Sequence, residues 1–450
     1  AVAADAGAGL NVAAPGTVTF ASTVGSGIPA LGALGFLNRT GGGLTVLNAN
    51  TTTAGSQGFD GNLDVNGPLT LNAGGAFGVL GATRLFGNTI INSNGYLFNG
   101  SVDSAGGSRS LTLNNTGNGE FRTGAGFGSA LSALTINGVG TSTFAGNVRI
   151  VPGGSMIVNQ SAFIAGPSDF RAGTITFNGT LDAAPAAANS TLVLIADATN
   201  FNFGAGSVRA LTALDASGVT LSRVAGNMST TGTQRFAGLL LTGAAGSRVF
   251  SGSSLAYLGA IDAANNTIGM IANGPAGVGF AINIGLGGVG GTNLAQLVVS
   301  GPATLAGNVR TVGGTSFGNA LTTIGARTID AAGLFVGGIT VLGGNFTVNA
   351  ANAQFNGSVD SAAPGVASML VNASNSAVFG NGIGQNAALS TFRSNAAATV
   401  LRGAGLRTLA SGQSWFAGDL RIDSLGGTST INTGAIFIGR DVFTDAAAAG

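Results

Sequence analysis

Phe98-Asn-Gly-Ser-Val-Asp-Ser-Ala105 recurs, letter for letter, as Phe355-Asn-Gly-Ser-Val-Asp-Ser-Ala362, and the likeness continues through Leu131 in the first copy and Leu389 in the second. Agreement over that length is not an accident of composition. Inside it lies a shorter word: an aromatic residue, any residue, Gly, any residue, an aliphatic. Phe59-Asp-Gly61-Asn-Leu63, Phe98-Asn-Gly100-Ser-Val102, Phe144-Ala-Gly146-Asn-Val148 and Phe177-Asn-Gly179-Thr-Leu181 spell it out. It returns at Phe236 with Gly238, at Phe355 with Gly357 and at Phe416 with Gly418, and with Leu in place of Phe at Leu305 with Gly307.

In an extended segment residues i, i+2 and i+4 share a face. The word therefore predicts a strand with Phe and the aliphatic turned inward and Gly making room between them. Successive words fall at irregular intervals, which fit a turn of about 20 residues in which the word is used every second or third time. A longer module runs through the same regions. Ala130-Leu-Ser-Ala-Leu134 precedes Phe144, Ala210-Leu-Thr-Ala-Leu214 precedes Val224-Ala-Gly-Asn-Met228, and Leu294-Ala-Gln-Leu297 precedes Leu305-Ala-Gly-Asn-Val309. Repetition at two levels is how a solenoid grows, by duplication of blocks of several turns.

Composition agrees. Of 450 residues 7% are charged, 45% are hydrophobic and 80 are Gly. Disordered chains are poor in apolar residues and rich in net charge, whereas this one carries 26 Phe and a net charge of +1. Gly and the β-branched residues disfavour helix, and Gly with Asn favours tight turns. The expected fold is all-β, a parallel β-helix of about 20 turns with Phe, Leu, Val and Ile inside and Asn, Ser, Thr and Gly at the corners. A left-handed hexapeptide helix is disfavoured, because no six-residue aliphatic period is visible.

The residue types present close off much chemistry. There is no Cys, His or Lys, so thiolate metal sites, the commonest general base, Schiff-base chemistry and a phosphate-binding lysine are all missing. Charges are scattered singly, with no basic stripe for nucleic acid. The uncharged stretch from Ala263 to Val309 is broken by Asn273, Pro275, Asn283 and many glycines, which argues against a membrane-spanning helix.

With its Ala-Leu-x-x-Leu words, Thr/Gly turns, Phe-x-Gly-x-Val units and the Thr230 to Gln234 stretch before Phe236, the sequence resembles the filamentous-haemagglutinin-like and autotransporter-like bacterial surface proteins built of β-strand repeats. That resemblance implies a right-handed parallel β-helix, exported to the cell surface and used for adhesion, biofilm or matrix. Organisation is expected as an N-terminal strand or linker region over 1–30, solenoid repeats over 31–442 and an Ala-rich tail or linker over 443–450.

The remaining candidates each have a plain reading. Gly285-Leu-Gly287-Gly-Val-Gly290 matches a dinucleotide fingerprint, but such matches arise by chance at this Gly content and no helix-forming stretch follows. Asp60 with Asp64, and Asp419 with Asp423, share a strand face by spacing and could hold Ca²⁺ or act as a glycosidase pair; solvated strand positions are the expectation. Thr-x-Thr at Thr17, Thr141, Thr174 and Thr428 does not recur once per turn, against a flat hydroxyl array. Arg149, Arg310 and Arg421 follow the aliphatic of their word and should point outward; solubility and edge protection are the expectation, with pairing to Asp or an anionic glycan as the alternative. No catalytic residue, metal ligand or cofactor site is expected.

The functional expectation is an extracellular structural protein, a rod-like, self-associating and adhesive subunit of a bacterial cell-surface fibre, sheath or matrix. Its alternatives are a monomeric adhesin passenger that binds a glycan or protein receptor and, third, a polysaccharide-active β-helix enzyme. Expected partners are further copies of the chain and a glycan or a neighbouring cell surface.

Overall fold

Alternation of apolar and polar residues through short Gly-bounded segments builds strands with one face in and one face out. In the computed structural model, which describes residues 9–25, 37–403, 405–423 and 428–444, these strands pair in parallel and coil into a β-solenoid of about 18 turns. No helix occurs among the described residues. The chain divides into two compact units, Ala1–Thr231 and Gly232–Gly450.

In the first unit each turn contributes to three parallel ladders, here sheets A, B and C. Sheet A carries Phe59, Val79, Phe98, Phe121, Phe144 and Ile164 in direct register on successive turns. All six are buried. Sheet B aligns Leu63, Thr83, Val102, Ala125, Val148 and Phe170. Sheet C aligns Leu71, Ile91, Leu113, Ile136, Val158, Phe177 and Phe201. Rings stack along the core, Phe121 lying 5.3 Å from Phe98 and 5.5 Å from Phe144 with nearly parallel planes. Offset contacts of this kind add to the burial of large apolar surface.

The second unit repeats the plan in sheets D, E and F. Sheet D aligns Phe236, Tyr257, Phe280, Leu305, Thr323 and Leu342. Sheet E aligns Ile329, Val348, Val371, Ser394, Phe416 and Ile438. Sheet F aligns Val299, Phe317, Val336, Phe355, Phe379 and Leu401.

Two expectations need correction. The word is not confined to one place in the turn. Phe59, Phe98 and Phe144 end strands of sheet A, but Phe177 ends a strand of sheet C. Phe236 and Leu305 stand in sheet D, Phe416 in sheet E and Phe355 in sheet F. The intervals are irregular because the same five residues serve every corner of the turn.

The glycine, secondly, does not face the core within a strand. The strand Gln57–Phe59 ends at the Phe and the next, Asn62–Val65, starts after the Gly. A Cβ on Gly61 would lie 2.0 Å from the carbonyl oxygen of Gly43, one turn earlier. At Gly100, Gly146, Gly357 and Gly418 the nearest backbone oxygen would be 2.3, 2.2, 2.3 and 2.2 Å away, and at Gly179 and Gly307 a carbonyl carbon would be 2.4 and 2.2 Å away. Side chains are therefore excluded by the neighbouring turn.

The region 1–30, expected to be strand or linker, contributes strands to the ladders. Its strands Leu10–Ala13 and Val18–Phe20 pair with Leu37–Thr40 and Leu44–Leu47. Pairing also reaches Thr444 through Val442–Thr444, past the expected boundary of the repeats. The rest of the tail, 445–450, lies outside the described residues.

Candidate functional site

Polar side chains organise the outside of the turns, and their partners sit on neighbouring turns instead of in the local turns expected for Asn. In the first unit, Asn72, Asn92, Asn114, Asn137, Asn159, Asn178 and Asn202 form one ladder. Each side-chain N–H donates to the amide oxygen of the asparagine on the turn before, over 2.5 to 2.8 Å. Asn72 itself donates to the hydroxyl of Thr52. Only an amide offers a donor and an acceptor on one fork, so the column propagates itself. A shorter version, Asp330, Asn349, Asn372 and Asn395, runs through the second unit.

Four aspartates perform a different task. Asp103, Asp182, Asp262 and Asp360 each follow the aliphatic residue of a corner word and accept backbone N–H bonds from a loop on the next turn. Asp103 takes Gly128 and Ser129 at 2.8 and 3.2 Å, and Asp182 takes Val208 and Arg209 at 2.9 and 3.3 Å. Asp262 takes Gly287 and Val289 at 2.9 and 2.8 Å, and Asp360 takes Asn386 at 2.9 Å. These aspartates were not singled out from sequence. The signal available was an Asp directly after the word at 98, 177 and 355.

This accounts for Gly285 to Gly290. The run does make an oxyanion cradle, with φ of 68°, 77° and 83° at Gly285, Gly287 and Gly290. The oxyanion it holds is the chain's own Asp262 carboxylate, and the run is a loop with no helix behind it.

Only the first of the two carboxylate pairs comes apart. Asp60 lies exposed at a corner, its carboxylate 3.3 Å from the Gly41 N–H. Asp64, expected to be solvated, is buried on the strand, where Arg84 donates to both its oxygens at 2.7 and 2.6 Å. That bidentate bond raises the pKa of Arg84. Asp419 and Asp423 begin and end one strand and share its outer face, Asp419 half-buried and Asp423 paired with Arg402 at 3.1 Å. Among the described residues no group of three or more acidic side chains could hold a metal ion. The Thr-x-Thr positions lie in different ladders, Thr141 in sheet A and Thr174 in sheet C.

Arg310 meets Asp330 at 3.2 Å and Arg421 lies 5.6 Å over the Phe443 ring. Arg149 lies 5.3 Å over Phe127 and lines an open groove of about 410 Å³ with Arg171, Asp197, Thr220, Pro152 and Ile195. Arg171 and Asp197 were not anticipated, because they are distant from Arg149 in sequence and only the coiling unites them.

Both tyrosines are interior. The Tyr96 hydroxyl meets the Ser142 hydroxyl at 2.6 Å, and that of Tyr257 has no hydrogen-bond partner in the structure. Burial raises the pKa of both, against the lowering effect of Ser142 on Tyr96.

Stacked parallel turns, inward apolar ladders and outward amide ladders define the chain as a parallel β-solenoid. No known protein family matches it, and neither a characterised protein nor a solved structure does so.

Proposed function

We propose that the chain is an extracellular structural protein, a self-associating subunit of a bacterial cell-surface fibre, sheath or matrix, without a catalytic role. One observation carries this reading. In the second unit Leu258, Ala281, Ala306 and Ile324 follow the sheet D ladder on successive turns, each donating its N–H to the turn before. They line a shallow groove that contains no charged side chain. Leu258 and Ile324 are 40% and 53% exposed, and Ile282 beside them is 46% exposed. Soluble surfaces guard such rows with charge, but the segment from Ala263 to Val309 has none.

The occupant that suits this row is a second copy of the chain. A net charge of +1 offers little repulsion between copies. Location outside the cell rests on the style of repeat. The acidic residues support a structural role, because five of them, Asp64, Asp103, Asp182, Asp262 and Asp360, are engaged with loops and an arginine of the chain itself.

Sedimentation velocity at micromolar concentration tests the proposal. Oligomers growing with concentration are expected, and Leu258→Lys with Ile324→Lys should shift the population towards monomer by at least tenfold. A wild-type monomer stable to time, concentration and salt would leave the proposal without support and favour the isolated adhesin.

A further inference from the structure

Charged residues that face each other on neighbouring turns are of opposite sign in all described pairings but one. Arg84 stands between Asp64 and Asp103, Arg310 faces Asp330, and Arg402 faces Asp423. The exception is Arg149, which lies directly opposite Arg171. Like charges in register on adjacent strands are destabilising, and nothing about the fold requires this pair.

The two arginines are not equally occupied. Arg171 is held by Asp169 on its own strand at 2.5 Å. The Arg149 side chain forms no hydrogen bond or ion pair with any described residue; its guanidinium is only laid over Phe127. Five N–H donors in a fixed fork are thus left without a protein partner on a side chain that borders the groove.

The groove is made by the outer row that continues from these arginines. Arg171 is followed in register by Ile195, and Ile195 by Gly218, whose missing side chain leaves the space open. Pro152, next to Gly153 with its φ of 78°, forms one flank. Asp197, exposed and without a side-chain partner among the described residues, lines the same space with Thr220. At about 410 Å³ the groove falls within the range of small-molecule sites.

We propose that this groove binds an acidic sugar, a uronic acid residue of a polysaccharide. Its carboxylate is bound by Arg149 with Arg171, charge-assisted and planar against planar. Its ring hydroxyls donate to Asp197 and exchange hydrogen bonds with Thr220, and its apolar ring face rests on Ile195 and Pro152. Asp197 is what distinguishes this ligand from a bare oxyanion, because a second carboxylate repels an inorganic anion but accepts from a hydroxyl. The site lies in the first unit and does not depend on self-association, which is proposed for a row in the second.

Isothermal titration calorimetry of the whole chain decides it, with galacturonate and glucuronate oligosaccharides, the neutral galactose counterpart, a sulfated galactose oligosaccharide and inorganic phosphate. At least one uronate ligand should bind, and the neutral sugar at least tenfold more weakly. Arg149→Gln should cost at least tenfold in affinity, Arg171→Gln should also weaken binding, and Asp197→Asn should weaken the uronate while not weakening phosphate. All three positions are on the surface, and unchanged circular dichroism would verify that the variants fold. The proposal is overturned by absence of binding to either uronate, by undiminished binding in both arginine variants, by tighter binding of the sulfated sugar or phosphate, or by tighter uronate binding in Asp197→Asn.

Discussion

Two columns run side by side through the first unit, one inside and one outside the same turns, and they are held by different forces. Inside, Phe98, Phe121 and Phe144 stack ring on ring, while Val79 and Ile164 occupy the same column without disturbing its register. Outside, seven asparagines follow one another with no substitute among them. Dispersion and burial ask only for apolar volume. A ladder in which each member must donate backward and accept from ahead asks for one functional group. Of these two columns the inner one therefore accommodates variety, while the outer one keeps to amides except where it starts, at Thr52.

The largest effect should come from the inward column. Phe121→Ala removes a ring stacked on both sides and leaves a cavity, and should cost about 3–5 kcal/mol in urea unfolding. Phe121→Leu should recover more than half of that, and failure to do so would mean that ring stacking, not volume, governs the column. Gly146→Ala comes next. The added methyl would meet the Thr123 carbonyl oxygen at 2.2 Å, and because backbone cannot step aside the expected cost is about 1–3 kcal/mol, concentrated in hydrogen exchange of the two turns that meet there. Asn114→Ala should be the mildest, at about 1–2 kcal/mol for two partly exposed amide bonds. If it rivals Phe121→Ala, the ladder rather than the core holds the turns in register, and the contrast between the columns is inverted.

The fold could be read in advance because the corner word repeats: an aromatic and an aliphatic four residues apart, separated by an obligatory Gly, is a local pattern with a local meaning. What escaped was whatever depends on register between turns. The step from Asn92 to Asn114 differs from the step to Asn137, and that from Asn159 to Asn178 is shorter than either, so no fixed period reveals the ladder. Asp262 and Gly287 lie a whole turn apart, and nothing local links the carboxylate to the loop it holds. The inference that Gly sits inside a strand failed for a related reason. The sequence contains the Gly, but the backbone that forbids a side chain there belongs to another turn.

The aspartate-held loops carry a geometric consequence. Asp103 and Asp182 follow the same corner word, yet the first stands in sheet B and the second in sheet A of the same unit. Asp262 and Asp360 likewise occupy sheets E and D. A copied block that is not a whole number of turns long re-enters the coil out of phase, as a printed motif drifts around a roller whose circumference it does not divide. Within each unit, then, one and the same word sets its loop on two different sheets, so that repetition of a sequence does not mean repetition of the direction in which it looks.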